Sequence, residues 1–449
     1  MDVAGLVDRL GSHVDADRKV AAQALVDAGQ IAVGPVLAAL CDESSAVEWS
    51  TSAVVLRRIG DDAFGPLVDA LVAAPTAEVA RRCGWTLNGL EVSDNAIYLP
   101  ALSHPSAAVR ATAAYAFHRL KEQAEPYLPA LAGLLDDPDA NVRQRVIWVL
   151  GEIGPVSLPL LRQIRRGGGR RRRAALVALA EIGGWDALEE ADRRAVARLI
   201  EVKSVSEVPA PMHLCGSWYA LPTADQAAVL DAFDLIGPRP VTTRLGESAW
   251  NYDHHNWSSR EHRACRRAYV TPCLDGWTLV FGRLPTVAHA PDDEYETVLR
   301  DDVLNRCTEL SARFGAAHWY GASCGDGWTA WCIAEAGTVI RHYDIEDPDD
   351  QIGETHPAEA GYVLPHENPF PDDAFDGVPV GSADAFTARY QQVKRELNIP
   401  DNAHATTVAA RASVDPAALG LHTTVAGRPV ITLTTCGATM ASAPGALKI

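Results

Sequence analysis

The sequence predicts a multidomain chain: an all-α solenoid of helical hairpins followed by an α+β domain. Two observations carry that prediction. Apolar patterns of helical period recur at intervals of about thirty residues through roughly the first two hundred positions. They then give way to alternating, aromatic-rich segments that suit strands. The chain has 449 residues, 47% hydrophobic and 22% charged, which fits two or three globular domains. That composition excludes a disordered tail protein, a collagen-like fibre and a disulfide-stapled miniature. No run of about 18 apolar residues exists, so no membrane helix is expected.

The repeats come first in the chain. Pro35, Pro66, Pro100, Pro129 and Pro159 follow one another at spacings of 31, 34, 29 and 30. Each is expected to open a helix, because proline fits the first turn, where its missing N–H has no partner anyway. Longer helical patterns alternate with them at Arg18–Ala28, Ala46–Ile59, Ala77–Leu90, Ala107–Leu120, Ala140–Ile153 and Arg171–Ile182. Three close on Ile-Gly, at Gly60, Gly154 and Gly183, where a left-handed residue ends a helix. In the clearest copy, Leu134–Gly154, Asp139 is placed to cap the helix. Val142, Val146, Val149, Leu150 and Ile153 fall on one face.

This segment resembles a HEAT repeat in its short bacterial form, and the likeness extends over roughly residues 15–200 in six copies. The resemblance implies hairpins that stack into a solenoid, at roughly 10 Å per stacked pair. It also implies a protein or peptide partner held along the concave face. Trp49, Trp85, Trp148 and Trp185 are expected in the core. Some alkylpurine glycosylases share such repeats, but their DNA groove requires a basic face. Residues 1–200 carry 25 acidic and 22 basic side chains, which argues against nucleic acid. Bilin lyases share the repeats too, and nothing in the sequence points to a chromophore.

Arg165, Arg166, Arg170, Arg171, Arg172 and Arg173 crowd around three glycines between the fifth and sixth hairpins. Flexible glycines let guanidinium groups converge on an anion, so this turn is a candidate site for a carboxylate, phosphate or partner. The chain's own acidic half is the favoured anion, with Asp344–Asp350 as one source. The turn follows a helix and lacks the Lys-Ser/Thr ending of a P-loop.

The solenoid is expected over 1–203, a linker over 204–212 and the α+β domain over 213–449. The last 249 residues hold 33 acidic and 18 basic side chains, an excess that repels phosphates. Strands are expected at Trp277–Gly282, Ala316–Tyr320 and Trp328–Ala334, the last pairing with Thr338–Ile345. Thr423–Val425 and Val430–Thr434 suggest a second hairpin. Helices are expected at Asp292–Phe314, Ser382–Leu397 and His404–Ala412. The segment from Gly276-Trp277 through Val414-Asp415-Pro416 to Leu433 resembles a widespread actinobacterial domain, a likeness that carries no residue roles.

His254, His255 and His262, with Trp257 among them, mark a candidate pocket. The His and Cys spacings from Tyr252 to Cys273 match no zinc motif, so no metal and no cofactor are expected. The acid-rich run from Asp344 to Asp350 is expected to be a solvated turn. Cys324 lies in a loop without a nucleophile signature. Nine scattered cysteines without CxxC pairs and an acidic N-terminus suggest reduced thiols and a cytoplasmic protein. The expected function is an adaptor that binds a protein or peptide. The rivals are an enzyme or maturation factor with a C-terminal pocket, and nucleic-acid binding through the concave face and Arg165–Arg173.

Overall fold

The computed structural model describes residues 2–255, 265–282, 291, 294–378 and 383–439. The chain falls into two compact units, Met1–Glu189 and Glu190–Ile449. Among the described residues no helix is long and apolar enough to cross a membrane.

The first unit is helical throughout. After α1 (Val3–Leu10) come the successive pairs α2 (Asp15–Ala28) with α3 (Gln30–Cys41) and α4 (Trp49–Ile59) with α5 (Asp61–Val72). The helix α6 (Ala77–Leu87) is followed only by two 3-10 turns, Asn95–Tyr98 and Pro100–Ser103. Then come α7 (Ala107–Ala116) with α8 (Leu128–Gly133), α9 (Ala140–Ile153) with α10 (Leu158–Gly167), and α11 (Arg172–Ala187). Leu25, Leu40, Leu56, Leu67, Leu87, Val109, Phe117, Leu131, Val146 and Leu161 are buried along its length. This is the continuous core of a solenoid, which no single hairpin could form.

Local chemistry explains most boundaries. Asp139 caps α9 by accepting from the amides of Asn141 (2.8 Å) and Val142 (3.2 Å). Gly60 and Gly154 stop their helices at φ 75° and 87°. In the fourth pair Lys121 takes the equivalent place at φ 50°, and α7 ends early in a 3-10 stretch, Phe117–Tyr127. Near the end of α11 the left-handed residue is Gly184 (φ 56°), one position later than expected, while Gly183 has φ −136°.

Two prolines depart from expectation. Pro35 and Pro66 lie inside α3 and α5, because the turns at Gly29 and Gly60 re-enter the helix at once. Each removes the bond to the carbonyl four residues earlier, at Ile31 and Asp62. Both of those residues are exposed, so water can serve the carbonyls.

The second unit begins with α12 (Glu190–Ser204), followed by an extended segment to Cys215. An antiparallel sheet then organises it. Its strands are β1 (Gly216–Leu221), β2 (Ile236–Pro240), β3 (Arg267–Leu274), β4 (Trp277–Phe281), β5 (Ala316–Ala322), β6 (Thr329–Glu335), β7 (Thr338–Asp344), β8 (Val425–Ala426) and β9 (Val430–Leu433). The order is β2-β9-β3-β4-β1-β5-β6-β7, and β8 also pairs with β3.

Tyr219, Val270, Val280, Trp319 and Cys332 on one face pack with Val229 of α13 (Gln226–Ala232) and with Val303, Cys307 and Leu310 of α15 (Tyr295–Phe314). Strand alternation sends Trp218, Tyr269, Phe281 and Tyr320 to the other face. There Trp250 of α14 (Thr243–His255) meets Phe281, with ring centroids 4.8 Å apart. The helices α16 (Ala383–Glu396), α17 (Ala405–Ala412) and α18 (Thr435–Ala438) complete the unit.

The β6–β7 hairpin forms as the sequence indicates, turning at Ala336 and Gly337. The second expected hairpin does not. β8 and β9 lie one after the other along β3, interrupted by Gly427, Arg428 and Pro429. Gly427 has φ 89° and Pro429 lacks a ladder donor, so the segment jogs and continues on the same neighbour.

Candidate functional site

In the first unit one side chain per repeat stands six residues before the position that ends its helical pattern. These are Val54, Trp85, Tyr115 and Trp148, counted back from Gly60, Glu91, Lys121 and Gly154, while the last repeat has the buried Ala178 six residues before Gly184. The expectation that Trp85 and Trp148 are core is overturned, since both are 38% exposed. Trp49, Tyr115 and Trp185 are half-buried and Val54 is exposed. Smaller residues (Ala53, Val55, Val149, Leu150) already fill the core on the neighbouring helix positions, which leaves the rings outside.

The rings are not isolated. Trp49 meets Trp85 edge-on with centroids 5.4 Å apart, and Tyr115 stacks on Trp148 at 5.1 Å and 7°. Guanidinium groups cover them: Arg57 lies 3.1 Å from the Trp85 centroid, Arg81 4.5 Å from Trp49 and Arg145 4.7 Å from Tyr115. Gly89 leaves the room that Arg57 occupies, because a Cβ there would fall 2.3 Å from the guanidinium. The result is a row of aromatic faces backed by cations.

The arginine turn connects α10 and α11 through Gly168 and Gly169, both at φ 84°. Acids of its own unit meet part of it. Arg166 pairs with Glu189, and Arg171 reaches Asp136 at 3.1 Å. Arg165 and Arg172 exchange bonds to each other's carbonyls. Arg170 and Arg173 are exposed. In the second unit Asp350, expected as an anion for this turn, is paired with Arg300 at 2.7 Å.

A cleft of about 470 Å³ opens in the second unit where β1 starts and β4 and β5 stop. Tyr219, Trp250, Trp319 and Trp328 supply apolar walls; Glu296, Asp302, Asp326, Asp344, Glu346, Asp347 and Asp350 supply negative charge. In the acidic run expected to be a solvated turn, Glu346, Asp347, Asp349 and Asp350 are indeed exposed, and Asp344, Glu346, Asp347 and Asp350 also border this cleft. The first member of the run is the most constrained: Asp344 Oδ1 accepts from Trp328 Nε1 (2.9 Å) and from the Glu346 amide (3.0 Å). Burial, and then the nearby Asp347 and Glu296, push its carboxyl above the usual range. Burial and the Asp344 charge raise Glu346 likewise. Burial, reinforced by Arg300, drives His342 down to about 4. Crowded carboxylates that resist ionisation favour a cationic ligand.

His254 also lines this cleft, beside Trp250. Its neighbour His255 belongs to a different group: ligand atoms of His213, His255 and Cys324 lie within 4.8 Å of one another. Trp257 and His262, the other expected pocket members, lie outside the described residues. None of the nine cysteines is joined in a disulfide.

Residues 96–201 match the family described as HEAT repeats. No curated protein matches the chain. Solved structures similar to it include a designed armadillo repeat protein, with 16% identity over 42% of this chain and 100% of that one, TM-score 0.21. A computationally designed armadillo repeat protein for modular peptide recognition has 17% identity over 42% and 100%, TM-score 0.21. The complex of CpcE and CpcF of phycocyanin lyase from Nostoc sp. has 19% identity over 39% of this chain and 96% of that one, TM-score 0.18.

Proposed function

We propose that the chain is a protein-interaction module whose solenoid holds an extended protein or peptide segment. The observation that carries this reading is the row Val54, Trp85, Tyr115 and Trp148, with arginines against its rings. Tryptophan, tyrosine and arginine dominate binding energy at interfaces, and here Trp85, Tyr115 and Trp148 share one position of three successive repeats, with Arg57 and Arg145 against the Trp85 and Tyr115 rings. The arginines select a segment that combines apolar with acidic residues. An acidic chain with net charge −18 does not favour nucleic acid as that partner.

A second reading rests on the cleft of the C-terminal unit, whose carboxylates and tryptophan faces suit an amine or guanidinium group. It corresponds to an enzyme or maturation factor whose solenoid holds the substrate. One experiment separates the two. A phage-displayed peptide library is panned on the full-length protein and on the Trp85→Ala/Trp148→Ala variant. Acidic–apolar peptides should be enriched, and their recovery should fall at least about tenfold on the variant, corresponding to 1.4 kcal/mol. Equal recovery from both proteins would overturn the row as the site. Enrichment of basic peptides, insensitive to these substitutions, would move the function to the cleft.

A further inference from the structure

Three side chains far apart in sequence converge at the end of the C-terminal sheet. His213 lies in the extended segment before β1, His255 is the last residue of α14, and Cys324 follows β5. One ligand atom from each lies within 4.8 Å of the other two, and all three residues are exposed. In a tetrahedral site with bonds of about 2.0–2.3 Å, ligand atoms stand roughly 3.3–3.8 Å apart. A shift of about an ångström in the ligand atoms, within the reach of side-chain rotation, would close that difference.

The supports of these ligands are already in place. The His255 ring bonds the Asn251 carbonyl through Nδ1 at 2.9 Å, so Nδ1 carries the proton and Nε2 keeps its lone pair for a metal. The backbone of His213 is fixed from the same helix: its amide donates to Glu247 Oε1 (3.0 Å), and its carbonyl accepts from Asn251 Nδ2 (3.3 Å). Asn251 thereby touches both histidine-bearing segments. The Cys324 amide donates to Cys215 Sγ at 3.4 Å, which ties the third ligand to the strand that begins beside His213.

We propose that His213, His255 and Cys324 bind one zinc ion, with the fourth position open to solvent beside the cleft. The ligand chemistry selects the metal: two imidazoles and a thiolate suit zinc, whereas calcium and magnesium require oxygen ligands. The site goes beyond the partner-binding row, which uses none of these residues. It also runs against the expectation of no metal, which weighed the His and Cys spacings between Tyr252 and Cys273 and the acid-rich run Asp344–Asp350, but neither His213 nor Cys324 as a ligand.

The test uses the full-length protein, reduced and stripped with a chelator, then titrated with zinc chloride and, in parallel, with cobalt(II) chloride. Zinc should bind at one equivalent, and cobalt should give tetrahedral visible bands with a thiolate charge-transfer band in the near ultraviolet. Cys324→Ser should remove that charge-transfer band. His213→Ala and His255→Ala should each weaken zinc binding at least about a hundredfold, while Cys41→Ser leaves it unchanged. Far-ultraviolet circular dichroism of each variant confirms that these exposed substitutions leave the fold intact. Absence of stoichiometric binding, binding unaffected by the three substitutions, or a Cys215–Cys324 disulfide in the untreated protein would overturn the site.

Discussion

Glu359 is 1% exposed and accepts from three groups: the Arg341 guanidinium (2.7 Å), the Trp331 indole N–H and the His356 amide (2.8 Å). Arg341 is 2% exposed and also donates to the Gly353 carbonyl at 3.2 Å. A buried pair of this kind contributes little net stability, but removing one partner strands the other charge at a cost of about 3–5 kcal/mol. Glu359→Gln keeps the shape, removes the charge and turns an amide N–H toward the His356 amide. Its thermal midpoint should drop by roughly 10 °C, at about 2–4 °C per kcal/mol for a unit of this size. Adding Arg341→Met should recover much of that loss; no change in the single variant would show that water reaches the pair. At this scale the sequence was least informative. His255 was visible as a candidate, but its partners lie 42 and 69 positions away, and only the sheet topology brings His213 and Cys324 to it.

Helices and turns were far more legible, because their causes are local. Asp139 as a cap and Gly60 and Gly154 as stops need no tertiary information. Glycine at φ 75° is required at Gly60 for two reasons: the left-handed backbone, and a Cβ that would lie 2.4 Å from the Glu91 carbonyl oxygen. Gly154 has φ 87° and open space around it. Gly154→Ala should therefore cost about 1–2 kcal/mol from the backbone alone. Gly60→Ala should cost roughly 2–4 kcal/mol, because the clash adds to the strain. Urea midpoints of the two variants measure the difference; equal losses would show that the Glu91 segment yields freely. One repeated device escaped sequence reading. Arg18, Arg110 and Arg143 each reach back six residues to a carbonyl, at Ser12, His104 and Asp137, with bonds of 2.6–2.8 Å. Arg110 also grips Asp137 through two bonds. Arginine is common in this chain, so its type alone did not mark these three.

The division into a helical array and a sheet domain was legible from periodicity, since the switch from a 3.6-residue to a 2-residue pattern spans many positions. The order of the strands was not, because it depends on pairings as distant as β2 with β9. Contacts in a solenoid run between neighbours, so a fragment of residues 1–189, the first compact unit, should fold alone with an almost purely helical circular dichroism spectrum. Appreciable sheet signal, or no structure, would contradict that independence. The ring contacts give the array a second kind of seam. Tyr115 and Trp148 stand 5.1 Å apart and Trp49 and Trp85 5.4 Å, closer than the roughly 8–10 Å between the axes of packed helices. Neighbouring repeats are therefore riveted on their outer side as well as through the buried core. Slippage between two such repeats would part a ring pair before it opened any cavity inside.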